Sequence, residues 1–175
     1  MSVKVTGLEQ LQANAQQLVK QQLPNAVAKS LNKIAKNARK KAIKQVAAHI
    51  GVPVRTLQGR VRSQSAKRRQ PVAKMRVNRM DMPLIRLLER PRNKIWVGKG
   101  GIIVGKYAVE RGFKQKLKNG RQHIMQRVGK ARYPIDVVKI PLSTPLTNAF
   151  HQQLKDYPAQ VQNELRQQLQ FILGK

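Results

Sequence analysis

Charge limits what this chain can fold into more than any other feature. Of its 36 lysines and arginines, 31 lie between Lys29 and Lys139, where only four of its seven acids sit. A surplus of that size cannot be buried, so every element in the span must keep one side open to water or to an anion. A formal charge of +29 is tolerated most easily beside a polyanion or acidic proteins, which makes nucleic acid the first candidate partner. The plainer alternative is a solvated basic surface.

Helical periodicity answers this constraint first. Thr6 and Glu9 have the spacing of a reciprocal cap, and Leu8, Leu11, Ala15 and Leu18 follow at helical spacing to about Leu23. Pro24 is expected to break or kink that helix. Val27, Leu31, Ile34, Ala38, Ala42, Val46 and Ile50 then recur every three or four residues, the longest helix signal in the chain. At about 1.5 Å per residue the segment from Asn25 would span roughly 40 Å, longer than a compact small domain needs. Lys29, Lys33, Lys36, Arg39, Lys40, Lys41 and Lys44 occupy the rest of its circumference and leave a broad basic face. Gly51 reads as the residue just past the helix and Pro53 as the first residue of a short second helix. That explains Ala47 to Leu57 better than a DNA-reading helix-turn-helix does.

Further along, Ser63 to Gln70 is polar, basic and aperiodic, a loop that carries Lys67, Arg68 and Arg69. Ala73, Met75 and Val77 alternate with polar residues as in a half-buried strand. Pro83 interrupts, and Leu84 to Leu88 continues as apolar backbone. Ile95-Trp96-Val97 and Ile102-Ile103-Val104 flank Gly98-Lys99-Gly100-Gly101, a hairpin signal. Gly100 to Lys106 fits G-x-x-x-x-G-K, but Tyr107 stands where a phosphate-binding loop needs Ser or Thr, and no helical pattern follows. Asn119-Gly120 tolerates positive φ at both central positions of a type I′ turn and predicts another hairpin. After a turn over Gly129 to Pro134, Ile135 to Ile140 reads as a buried strand closed by Pro141. Thr144 is the expected N-cap of a last helix, with Pro145 its first residue. Leu146, Phe150, Leu154, Tyr157, Val161, Leu165, Leu169 and Ile172 form its apolar stripe, and Pro158 predicts a kink or break near Asp156. The first half of the stripe reads as core against the sheet; beyond Pro158 it is free to reach a neighbouring subunit.

The expected fold is therefore α+β, with long N-terminal helices and a C-terminal helix packed on an antiparallel sheet of about four strands. It is expected as a single domain over residues 1–175: a helical region 1–62, a basic loop 63–71, the sheet 72–141 and the C-terminal helix 144–173. The absence of cysteine removes disulfides and thiolate metal sites, and His49, His123 and His151 lie in separate elements without ligand spacing. The scattered carboxylates Glu9, Asp81, Glu89, Glu110, Asp136, Asp156 and Glu164 offer no acid-base pair. No catalytic, cofactor or metal site is expected, and no enzyme. No apolar run approaches the ~20 residues of a membrane span, and the N-terminus lacks a secretion pattern. No membrane contact is expected, and the chain is expected to stay in a cytoplasm.

The stretch QKLKNGRQHIMQRVGKARYPIDVVKIPLSTPLTNAF, with Gly7 to Gln10 and Arg76 to Arg79 followed by Asp81 to Ile85, resembles the minor tail protein Z family, the tail completion proteins of lambda-like long-tailed phages. The resemblance touches most of the chain and weakens between Glu89 and Arg111. It marks Asn119, Gly120, Arg127, Arg132, Tyr133, Pro134 and Asp136 as family-motif positions, although Tyr133-Pro134 also reads as a turn former and Asp136 as the partner of a neighbouring arginine. It implies a structural virion protein at the head-proximal end of the tail tube, made in the host cytoplasm and acting late in tail assembly and in head-tail joining. The implied partners are copies of itself in a ring, a hexamer to match the tube; the tail terminator and tail tube proteins; the head-tail connector; and the backbone of the genomic DNA. The residues leave open a monomeric protein that binds nucleic acid without sequence preference and forms no ring. In either reading Lys29, Lys33, Lys36, Arg39, Lys40, Lys41, Lys44, Lys67, Arg68 and Arg69 are the candidate contacts. With almost no aromatics between them they suit phosphates, or acidic protein surfaces, better than bases.

Overall fold

The computed structural model describes residues 15–129 and 131–173, so the Thr6-Glu9 cap and the turns of Leu8 and Leu11 lie outside the described residues. In chain order the elements are α1 (Leu23–Ile50), α2 (Val54–Gln58), β1 (Val61–Gln64), β2 (Lys74–Val77), β3 (Met82–Pro83), a 3-10 helix (Leu84–Glu89), β4 (Ile95–Gly98), β5 (Gly101–Val104), β6 (Tyr107–Glu110), β7 (Gly112–Lys116), β8 (Gln122–Arg127), β9 (Ile135–Val137), β10 (Lys139–Ile140), α3 (Ser143–Leu154) and α4 (Tyr157–Leu173). Contacts divide the chain into two units: Met1–Arg39 with Arg62–Arg76 and Gln153–Lys175, and Lys40–Val61 with Val77–Gln152.

In the first unit the helix does not break at Pro24. Pro24 has no N–H for the Lys20 carbonyl, and upstream the backbone widens into a π turn over Leu18–Gln22, closed by the Leu23 N–H on the Leu18 carbonyl. Arg68 donates to the Lys20 carbonyl at 3.1 Å. Ala26, Ala28, Ile34 and Ala38 are the buried apolar positions of α1 here. β1 and β2 pair as a two-stranded sheet, so the strand reaches Gln64, inside the segment expected as loop. Beyond β1 the chain makes a tight turn in which Lys67 and Gln70 exchange backbone bonds of 2.9 and 3.0 Å. Asn32 on α1 holds that turn: its side-chain oxygen accepts from the Ala66 N–H at 2.7 Å and its amide donates to the Ala66 carbonyl at 3.0 Å. α4 half-buries Val161, Leu165, Leu169 and Ile172.

In the second unit the end of α1 packs Ala42, Ile43, Val46, Ala47 and Ile50 into a core shared with Leu57, Met82, Leu84, Leu87, Ile124 and Leu146. Gly51 follows the helix at φ +89, as its reading required, whereas Pro53 is the N-cap of α2 rather than its first residue. The antiparallel α+β class holds, but the strands form several short sheets, β3-β10, β4-β5-β6 and β7-β8-β9, besides β1-β2. One cause is visible at Val138. Its N–H donates to the Ile124 carbonyl at 3.0 Å and its own carbonyl accepts from Leu84 at 2.9 Å. The strand expected over Ile135 to Ile140 is thereby divided into β9 on β8 and β10 on β3, with Ile135, Val137 and Val138 half-buried, Asp136 and Lys139 exposed and only Ile140 of the six buried. The Asn119-Gly120 hairpin is present with a different turn. Leu117 and Arg121 close a three-residue loop, and only Gly120 has positive φ, at +78. α3 begins ahead of Thr144, since Leu146 already donates to the Leu142 carbonyl at 3.1 Å. The expected break near Asp156 separates α3 from α4, with Pro158 in the first turn of α4 where its missing N–H costs nothing.

Two polar side chains, half-buried Asn93 and buried Ser30, give opposite expectations. The Asn93 amide donates to the carbonyls of Gly51 at 2.9 Å and Leu87 at 2.8 Å. Asn93→Ala strands the Gly51 carbonyl, while the Leu87 carbonyl keeps the Arg90 N–H at 3.2 Å, and should cost about 1–3 kcal/mol, read as a lower urea midpoint. Ser30 is fully buried and its hydroxyl has no partner among the described residues. Ser30→Ala should therefore leave the midpoint unchanged or raise it, by up to about 0.5 kcal/mol from helix propensity.

Candidate nucleic-acid and partner interface

In the first unit Lys29, Lys33 and Lys36 are exposed on α1, and Arg39 is half-buried and engaged within the fold. Lys29, Lys33 and Lys36 are four and three residues apart, which places them on one stripe of the helix. Lys67, Arg68 and Arg69 are exposed on the turn that Asn32 pins to α1. Besides Arg39, two of these cations are already engaged inside the protein. Lys33 pairs with Glu164 at 2.7 Å, and Arg68 holds the Lys20 carbonyl. Glu164 also accepts from the Gln168 amide at 3.3 Å. The hydrogen bond from Lys33 is the leading cause that holds the Glu164 carboxyl below the usual carboxylate range, against the opposing effect of burial.

In the second unit Lys40, Lys41 and Lys44 are exposed on α1, and Lys40 and Lys44 repeat the four-residue step. Two basic recesses there were not legible in the sequence. One, about 600 Å³, is lined by Arg55, Arg60, Arg86, Thr56 and Glu89. Its anion is internal: Glu89 accepts from the Thr56 hydroxyl at 2.5 Å and from Arg86. Burial alone would raise the Glu89 pKa, but these donors outweigh it and the carboxyl is lowered. The other recess, about 800 Å³, lies between the turn joining β4 to β5 and the start of β7, and is lined by Lys99, Arg111, Phe113, Arg127 and glycines. Its single acid, Glu110, makes no ion pair among the described residues. Arg127 lies over the Phe113 ring, 5.6 Å from its centre, so stacking holds the guanidinium while its donors stay available. Arg111 adopts φ +54 and donates its N–H to the Gly100 carbonyl at 2.8 Å. Gly101 has no room for a side chain, because a Cβ there would lie 2.1 Å from the Val109 carbonyl oxygen.

The family-motif positions are only partly brought together. Asn119 and Gly120 form the β7-β8 turn, where the Asn119 side chain accepts from the Arg121 N–H at 3.0 Å. Arg127 ends β8 at the recess. Arg132, Tyr133 and Pro134 are exposed between β8 and β9, and the Tyr133-Pro134 peptide is cis. Asp136 is exposed on β9 opposite Gln126 and makes no ion pair among the described residues. The sequence reading missed Lys99 and Arg111. Their only signal is position in a hairpin whose register becomes known once β4, β5 and β6 are paired.

Among the described residues no helix is long and apolar enough to cross a membrane. The chain matches the family described as prophage minor tail protein Z (GPZ) over residues 5–175. It is similar to the tail completion protein Z of Escherichia phage lambda, with 36% identity over 190 residues covering 98% of this chain and 99% of that one. It is also similar to the tail completion protein of Escherichia phage N15, with 38% identity over 188 residues and the whole of both chains covered. No solved structure matches the chain.

The Lys33-Glu164 pair generates a pH expectation. Because the folded carboxyl titrates below its unfolded value of about 4.3, its contribution is present above that pH and is lost as pH falls through the lower folded value. Glu164→Gln should flatten this acid limb of the stability curve. At neutral pH it should cost no more than about 1 kcal/mol, since Lys33 is largely exposed. Urea midpoints collected between about pH 3 and 7 measure both effects.

Proposed function

The chain belongs to the prophage minor tail protein Z family and has a structural role in a phage tail; from that premise we propose that it completes the tail at its head-proximal end, late in assembly, and prepares it for joining to the head. In this reading the whole chain works as one tail-completion domain without catalysis. Copies of it close a ring, a hexamer in step with the tail tube, between the terminator and tube proteins on one side and the head-tail connector on the other. It is made in the host cytoplasm and resides in the virion.

The observation that carries the reading, beside family membership, is the disposition of charge. Lys29, Lys36, Lys40, Lys41, Lys44, Lys67 and Arg69 are exposed with no ion-pair partner among the described residues. Lysines and arginines on a helix face and a pinned turn neutralise backbone phosphates without reading bases, which suits a protein beside the path of a genome.

Salt dependence tests the DNA contact. If about six to ten phosphates are engaged, affinity for duplex DNA should fall by roughly 10³ to 10⁵ between about 50 and 200 mM salt, with similar slopes for unrelated sequences. Replacing Lys67, Arg68 and Arg69 by Ala should make that slope shallower. DNA affinity absent at low salt, together with head-tail joining lost in the triple variant, would assign these cations to acidic neck proteins instead. The mass of isolated neck complexes tests the ring, and one copy per tail would exclude it.

A further inference from the structure

The sheet β4-β5-β6 has apolar residues on both of its faces. The inner face is covered over β5 and β6, where Ile102, Val104 and Val109 point into the core and are 2%, 0% and 6% exposed, and it opens only at β4, where Val97 opposite Ile102 is 79% exposed. The register places Trp96 opposite Ile103, and Ile103 opposite Ala108, in one row on the other face. There the pattern of a half-solvated antiparallel sheet calls for polar residues. Instead Trp96 is 68% and Ile103 49% exposed, and Ala108 beside them is exposed as well. Near-continuous apolar strands belong to sheets covered on both sides. Gly98, Gly101 and Glu110 follow on the same face by strand alternation, and all three line the Lys99, Arg111 and Arg127 recess. The row therefore runs without interruption into three cations that have no ion pair among the described residues.

We propose that this face of β4-β5-β6 is a docking surface for an acidic protein, whose apolar patch covers Trp96, Ile103 and Ala108 and whose carboxylates engage Lys99, Arg111 and Arg127. Charge selects among the occupants. Duplex DNA supplies the negative charge but presents a phosphate backbone that cannot cover an indole and two aliphatic side chains. A second copy supplies apolar surface, but it also carries the net +29 and only seven acids, of which Glu89 and Glu164 are already paired. A different, acidic protein supplies both, with the exposed tryptophan as the anchor and the arginines as its charged rim. The assignment rests on the proposed role in tail completion only for where that partner is found.

The test replaces Trp96 in the full chain by photoreactive p-benzoylphenylalanine during phage growth and irradiates the assembled tails. The expected product joins this chain to a different tail or neck protein at a segment rich in Asp and Glu beside apolar residues. It should disappear when Lys99, Arg111 and Arg127 are all changed to Gln. A crosslink to a second copy, to DNA or within the same chain overturns the proposal, and so does no crosslink. A crosslink to an acidic protein foreign to the particle supports the surface and overturns the role in the tail. Independently, Trp96→Ser with Ile103→Ser should lower infectious titre by about tenfold or more while leaving the urea midpoint and the salt slope for DNA unchanged. An unchanged titre overturns the docking surface and leaves the DNA reading standing.

Discussion

A cation cannot be taken into a small core without a partner, and this chain has five times more cations than acids to pair them with. Every element in the basic span is shaped by that shortage. Along α1 half of the buried positions are alanines, Ala26, Ala28, Ala38, Ala42 and Ala47, set among Ser30, Ile34, Ile43, Val46 and Ile50. Small side chains bring the helix axis close to its neighbours, and the lysine stems between them run outward to put their ammonium groups in water. Glu89 and Glu164 are used where they satisfy a donor within the fold, Arg86 and Lys33 respectively, and little negative charge remains to neutralise the rest of the surface.

Short strands leave polar side chains to supply what a longer ladder would. No described strand exceeds six residues, and two of the four sheets are simple pairs, which are marginal without support. That support comes from amides set in helices and turns. Asn32 satisfies both backbone groups of Ala66 and so fixes the basic turn to α1. Asn93 gathers the carbonyl of Gly51, just past the end of α1, with one from the 3-10 helix. Each ties backbone groups of a turn or a helix end to a neighbouring element, so truncating one of them is expected to be costly.

The helices, part of their punctuation and the antiparallel class were legible because they rest on local signals: the three-to-four spacing from Val27 to Ile50, Gly51 past a helix end, and a break near Asp156 signalled by Pro158. The features that stayed hidden depended on pairing. Ile135 to Ile140 reads as one strand by composition, and only the bonds made by Val138 reveal that it serves two sheets. Pro24 reads as a breaker, yet a π turn absorbed it, and no local rule marks where a helix will widen. Asn119-Gly120 marked the hairpin but not its loop length, which is set by where Leu117 and Arg121 close it. For the candidate contacts, the cations on α1 and on the pinned turn were readable as exposed, apart from Arg39, which is half-buried and engaged within the fold. Lys99, Arg111 and Arg127 were not readable as a group, because three separate strands and turns bring them to one recess.

The two kinds of surface on this chain ask for different partners, and the difference bears on when it can assemble. A helix face of lysines binds any polyanion, and salt weakens it. A row such as Trp96-Ile103-Ala108 gains its energy from apolar cover, which salt leaves intact. Copies of a chain this basic repel one another at contact distance, where screening over roughly 8 Å is least effective. The proposed ring of such copies would be stabilised by whatever brings negative charge to it. In the proposed role the chain gains from remaining separate until an acidic surface is in place, because the proposed partner would both cover the apolar row and offset the repulsion between neighbours. Late action in that role would follow from composition, with the order of assembly set by the charge the chain carries.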